Sequence, residues 1–299
     1  MSVSHGSHGS DERRLVVASV LIGAFMVAEV VVAFLASSLA LLADAGHMLT
    51  DVIALAMAIV ALRLAQRPAQ GRWTFGYARA EVLSAAINGV TLLVVGAVVL
   101  VEAVRRLVHP ADVEGVPLVV VAVVGLAVNL VATLVLSGAD RRSLNIAGAF
   151  AHVATDAAAF AATIVAGIVV VVSGYERADP VAALFVVVLM ARAAWSLLRD
   201  SGHVLLEGAP ANVDLVELRS HLLDTPHVVA VHDLHVWTSG SRLPSVSVHV
   251  VIDDVCFADG RSPQLLDSLQ ECLVGHFDVE HSTFQLEPAS HAAHEAATH

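Results

Sequence analysis

The feature that most constrains this chain is a series of apolar runs longer than a soluble core requires. Leu15 to Leu35 is about 21 residues, enough for an α-helix to cross roughly 30 Å of hydrocarbon and too long for a signal-peptide core. Five more runs follow, from about Ser38 to Leu64, Ala80 to Val104, Val116 to Leu136, Ile146 to Val172 and Pro180 to Leu198. Hydrophobic residues make up 57% of the chain and charged ones 15%, against roughly 25% charged in soluble domains. The expected fold is therefore a membrane all-α bundle of six transmembrane helices, a multi-pass chain in a lipid bilayer.

Six spans leave both termini on one side. Ten arginines fall near that face and three, Arg105, Arg106 and Arg177, near the other, so the positive-inside rule places both termini in the cytosol. The predicted organisation is a short His-containing N-terminal tail over 1–12, expected to be disordered, a transmembrane domain over 13–204, a cytosolic domain over 205–288, and a disordered tail over 289–299.

Beyond the last span the pattern changes. Asn212 to Asp224 has helical periodicity, Val228 to Trp237 and Val246 to Ile252 read as strands, Pro263 to Phe277 is an amphipathic helix, and Ser282 to Leu286 can close the sheet as a third strand. The order α-β-β-α-β predicts a small α+β domain. Residues 1–200 carry 13 Arg against 14 acidic groups, whereas 201–299 carry 3 Arg against 14, so the acidity lies in this domain. Such a surface repels nucleic acid and tolerates cations. The two cysteines, Cys256 and Cys272, form no Cys-x-x-Cys pair and suggest no disulfide framework.

Two interruptions of the apolar runs carry the chemistry. His47 and Asp51 stand four residues apart in the second span, about 6 Å along one helical face, and His152 and Asp156 repeat that spacing in the fifth. An ionisable group at bilayer depth costs about 2.5 to 3.5 kcal/mol on insertion scales and marks an ion or proton pathway. One such pair is equally well explained as interhelical hydrogen bonding; two of identical spacing on separate spans point to a shared site. Two imidazoles and two carboxylates suit tetrahedral zinc, and the carboxylates cancel its charge, whereas magnesium and calcium ask for more oxygen donors. The residues thus point to a divalent-metal transporter, zinc first. Asp44 and Asn145, each seven residues before a ligand of its span (Asp51 and His152), are pathway candidates, with capping an alternative for Asp44. Asn88 and Asn129 read as interhelical hydrogen-bonding or cavity-lining groups, and Glu81 and Glu102 as solvated span ends.

The segments LLADAGHMLTD, RWTFGYARAEVLSAAINGV, AHVATDA, VHDLHVW, SVHV and HSTFQLE, in that order, resemble the cation diffusion facilitator family on its zinc-transporting branch, the bacterial zinc/cadmium efflux type. The resemblance covers Leu15 to about Glu287. It implies a homodimer of six-helix protomers in the inner or plasma membrane, exporting Zn2+ in exchange for protons, with cadmium as a second cargo. It further implies a cytosolic ferredoxin-like domain that binds regulatory zinc and helps dimerise. On that basis the transport site is His47, Asp51, His152 and Asp156, and His232, His249, His281 and Glu287 fall where the family places regulatory ligands. His235, three residues beyond His232, is expected on the opposite face of its strand. The loop Gln70 to Tyr77 has no His or acid, and the connection Ser137 to Asn145 is short, so the loop metal site and the His-rich loop of some members are not expected. No His-Glu-x-x-His run lies in a span, and an enzyme is not expected. The rival reading is a non-transporting membrane zinc sensor or scaffold, which needs only the C-terminal ligands.

Overall fold

This computed structural model describes residues 5–35, 39–109, 115–139, 143–175, 177–240, 244–277, 279 and 281–292, excepting the side chains of 5–9, 29, 32–35, 39–47, 50, 115–118 and 292. The chain divides into two compact units, Met1–Gly202 and His203–His299.

The first unit is built from α1 (His5–Leu35), α2 (Leu39–Ala65), α3 (Arg79–Val108), α4 (Gly115–Ser137), α5 (Leu144–Ser173) and α6 (Ala178–Leu205), the last of which runs on into the second. Among the described residues, four helices are long and apolar enough to cross a membrane: Arg79–Val108, Val119–Ser137, Leu144–Ser173 and Ala178–Leu205. Their apolar side chains also point outward. Val172 is 80% exposed, Trp195 71% and Val98 65%, an outer surface that suits hydrocarbon and that water would penalise.

The helices outrun the apolar stretches because hydropathy marks the part in lipid, whereas the helix continues into polar residues. α6 passes its predicted end at Leu198 through Arg199-Asp200-Ser201-Gly202-His203 to Leu205. The N-terminal tail expected to be disordered over 1–12 is helical from His5 onward. Two contacts fix the helix where this tail meets the apolar run: Glu12 pairs with Arg63 at 2.7 Å, and Arg14 Nη1 donates to the Val135 carbonyl at 3.0 Å. At the other end Ala289–Ala292 forms a helical turn, with His291 exposed; His294 and His299 lie outside the described residues.

Two clusters organise this unit. Leu15 and Ile22 of α1, Leu55 and Leu62 of α2, Leu136 of α4 and Ile146 and Val153 of α5 pack together, while Leu92 of α3 meets Val186, Met190 and Leu197 of α6. Gly125 matters to the first. A Cβ there would lie 2.5 Å from the Phe160 ring of α5, which in turn meets Phe25 edge-on at 6.5 Å. Gly125→Ala is expected to destabilise by about 1 to 3 kcal/mol through overpacking, seen as an earlier thermal melt in detergent. An unchanged melt would mean that Phe160 swings aside at no cost.

The second unit runs α7 (Leu215–Leu223), β1 (Val228–Thr238), β2 (Pro244–Ile252), α8 (Val255–Ala258), α9 (Ser262–Phe277), β3 (His281–Pro288) and α10 (Ala289–Ala292), the predicted α-β-β-α-β order with two single-turn helices added. Asp214 caps α7, its Oδ1 accepting from the Val216 and Glu217 amides at 2.8 and 3.2 Å. The sheet order is β1-β2-β3, with the first pair antiparallel and the second parallel. Alternation sends Val246, Val248, Val250 and Ile252 of β2 into the core, where they meet Leu218 and Leu222 of α7 and Leu265, Leu269 and Leu273 of α9. The residues between them, including His249, face the other side of the sheet.

Candidate metal centre

α2 and α5 meet at a polar point inside an apolar core. Asp51 Oδ1 lies 2.7 Å from His152 Nε2, and Asp156 Oδ2 lies 3.7 Å from the same nitrogen. One ligand atom from each of the three groups lies within 4.8 Å of the others. Asp51 and His152 are 5% and 4% exposed, so both lie away from bulk solvent. Helical spacing explains the meeting: Asp51 shares a face of α2 with buried Leu55 and Leu62, and His152 lies between Ala149 and Val153, which pack in that same cluster. The carboxylate can only accept, so Nε2 carries the proton in this hydrogen bond, and buried Nδ1 has no partner among the described residues. His47 lies four residues before Asp51 on α2, and Asp44 three before His47; both side chains are outside the described set.

A polar seam leads away from His152. A cavity of about 10 Å³, room for one water, is lined by Ser84 and Asn88 of α3, by Asn145, Ala149 and His152 of α5 and by Ala54, Leu55 and Ala58 of α2. Asn145 Nδ2 donates to the Ala58 carbonyl at 2.7 Å, so it ties α5 to α2. Glu81, expected at a solvated span end, is instead 7% exposed and accepts from the Ser143 hydroxyl at 2.6 Å. Its spacing from Ser84 and Asn88, three and seven residues, is that of one helical face, which was the readable signal. Glu102 is half exposed and pairs with Arg106 at 2.9 Å, as a solvated end should. Asn129 donates to the Gly125 carbonyl of its own helix at 3.1 Å rather than across helices.

The second unit gathers a separate cluster. His232 and His249 face each other across β1 and β2 with ring centroids 5.0 Å apart. Glu287 of β3, 2% exposed, places one oxygen 3.3 Å from His232 Nε2 and the other 2.8 Å from His249 Nδ1. Two imidazoles and a carboxylate are a fitting donor set for a borderline divalent cation, with a position left for water. His281 does not join them. It is in register with Ser245, four residues along β2 from His249, hence about 13 Å away along the strand. His235 departs from the alternation rule as well. The register shifts between His232 and His235, where Asp233 takes φ +46°, and the extra residue returns His235 to the face of His232, exposed and outside the trio.

Helices long and apolar enough to cross a membrane, in a unit that also buries a His/Asp cluster, define a class: integral membrane proteins with a polar site among their helices. Residues 15–206 match the cation efflux transmembrane domain and residues 210–289 the cation efflux protein cytoplasmic domain. The "Metal cation efflux system protein CzcD" of Cupriavidus metallidurans is 40% identical over 296 residues, 99% of this chain and 93% of that one. "Zinc transporter ZitB" of Escherichia coli is 38% identical, covering 95% and 90%, and the "Cadmium, cobalt and zinc/H(+)-K(+) antiporter" of Bacillus subtilis 36%, covering 95% and 92%. Among solved structures, the metal-bound C-terminal domain of the CzcD transporter is 39% identical over 25% of this chain and 99% of that one, with a TM-score of 0.23. The chain belongs to the cation diffusion facilitator family, membrane transporters that efflux metal cations and not enzymes, on its zinc branch.

Proposed function

We propose that this protein is a zinc efflux transporter, able to carry cadmium, that exchanges cytosolic Zn2+ for protons at Asp51, His152 and Asp156, with His47 the fourth ligand. The observation that carries the reading is the buried trio on α2 and α5, with donor atoms within 4.8 Å of one another. Zinc needs imidazole nitrogen and carboxylate oxygen free of protons, so metal entry displaces protons and returning protons expel metal. The two carboxylates neutralise the dication and lower the cost of holding it in the bilayer. α2 and α5 rock to open the box to one side and then the other.

Six helices span the inner or plasma membrane with both termini cytosolic, two protomers pair through the cytosolic domain, and that domain is ferredoxin-like. His232, His249 and Glu287 hold regulatory zinc there, which shifts the transport equilibrium only through a difference in affinity between its states. His281, four residues along the sheet from His249, is left out of that set.

On this reading the residues Glu81, Ser84, Asn88 and Asn145 form the cytosolic approach to His152; the last three line the small cavity beside it, and Glu81 accepts from Ser143 one turn before Ser84. Glu81→Gln removes a cation-attracting charge while keeping shape. Zinc flux at low substrate should fall about tenfold, recovering at saturating zinc; flux equal to the parent at every concentration would put the approach elsewhere. The reading as a whole is tested by flux into proteoliposomes under a proton gradient, with zinc, cadmium, cobalt, manganese and iron in competition. Zinc and cadmium should dominate, and transport of manganese or iron in preference would overturn it.

A further inference from the structure

Beyond both clusters, two histidines meet on the helical side of the second unit. His221 of α7 and His276 of α9 have ring centroids 5.2 Å apart and planes inclined by 41°. Each ring has one nitrogen committed to its own helix: His221 Nδ1 lies 3.0 Å from the Glu217 carbonyl and His276 Nδ1 3.3 Å from the Cys272 carbonyl. A carbonyl only accepts, so both Nδ1 atoms carry the proton and both Nε2 atoms keep a lone pair. That tautomer leaves Nε2 free to bind a metal, with the backbone carbonyl as the outer partner that orients such a ligand. Phe277 further fixes the His221 ring, meeting it edge-on at 5.4 Å.

The spacing agrees with a shared ion. A nitrogen about 2.1 Å from zinc sets its ring centre roughly 3.2 Å away, so two imidazoles in tetrahedral array have centres roughly 5.2 Å apart. Both residues are reachable from solvent, His276 exposed and His221 half-buried, and the surrounding C-terminal third is strongly acidic. Cys272 lies one turn before His276, but burial pushes its thiol up from the usual range and disfavours the thiolate.

We propose that His221 and His276 form a second metal site of the cytosolic domain, taking a borderline divalent cation such as Zn2+ or Cu2+ through their two Nε2 atoms, with water completing its coordination. The site lies across the sheet from His232, His249 and Glu287, since α7 and α9 cover the face that β2 buries. An ion there clamps α7 to α9.

The test uses the full-length protein in detergent with Cu2+ alone as probe, because imidazole sites hold it most tightly among the first-row divalent ions. His221→Gln and His276→Gln should each remove one copper equivalent per chain, or weaken it at least tenfold, together with an electron paramagnetic resonance signal split by two imidazole nitrogens. The double variant should remove no more than either single one. His232→Ala/His249→Ala protein should keep that equivalent. Unchanged binding in the single variants, losses that add in the double variant, or disappearance of the signal in His232→Ala/His249→Ala protein would each overturn the assignment.

Discussion

Proteoliposomes carrying Asp51→Ala or Asp156→Ala protein are expected to lose zinc–proton exchange by on the order of 100-fold or more. Removing an outer partner of a ligand already costs about 10- to 100-fold in metal affinity, and these groups are read as ligands themselves. Asp51 also holds His152 Nε2 at 2.7 Å, so its loss both deletes a donor and frees the imidazole to turn. The neutral variants leave a dication with half its countercharge in a site where Asp51 and His152 are almost fully buried. Folding is separated from function by Asp51→Asn, which preserves volume and a hydrogen-bond acceptor. It should reconstitute normally and bind zinc in its cytosolic domain like the parent, yet fail in flux. Parental exchange by well-folded Asp51→Ala or Asp156→Ala protein would remove the trio as the transport site.

Much of this arrangement was legible because period-3.6 and period-2 patterns survive into the structure. The His-x-x-x-Asp spacing on the fifth span does place His152 and Asp156 on one face, and the alternation of β2 does separate Val248 and Val250 from His249. What was not legible depends on contacts between elements. Hydropathy alone sets Glu81 at a wet helix end, and only Ser143, 62 residues later, shows why it is buried. Apolar length likewise ends the first span at Leu15, whereas Glu12 and Arg14 carry the helix further by binding partners on α2 and α4. In the small domain the bulge at Asp233 reverses a face assignment, because a single extra residue shifts every later side chain. The distance of His281 from the trio follows from parallel pairing of β3, which an isolated strand pattern does not specify.

That parallel pairing also underlies the second large effect, expected on stripping metal from the cytosolic domain. Glu287 reaches the trio only because β3 lies beside β2, and His232 only because β1 does, so an ion held by all three donors fastens the three strands together. Metal at 100 times its dissociation constant stabilises a folded state by about 2.7 kcal/mol over its unfolded one. For a unit of this size each kcal/mol moves the melting temperature by roughly 4 to 8 °C, so chelation should lower the unfolding of this unit by roughly 10 to 20 °C. Hydrogen exchange in β1 to β3 resolves it from the helices of the other unit, and protection should fall on adding chelator. Glu287→Gln keeps the volume and the approach of Gln285, whose Nε2 now donates to Glu287 Oε1 at 2.7 Å, but offers a poorer donor without charge. Its metal-dependent shift should nearly vanish while its chelated state unfolds close to the parent's. A full metal-induced shift retained in Glu287→Gln would place the ion on other residues, because no buried carboxylate would then be needed to hold it.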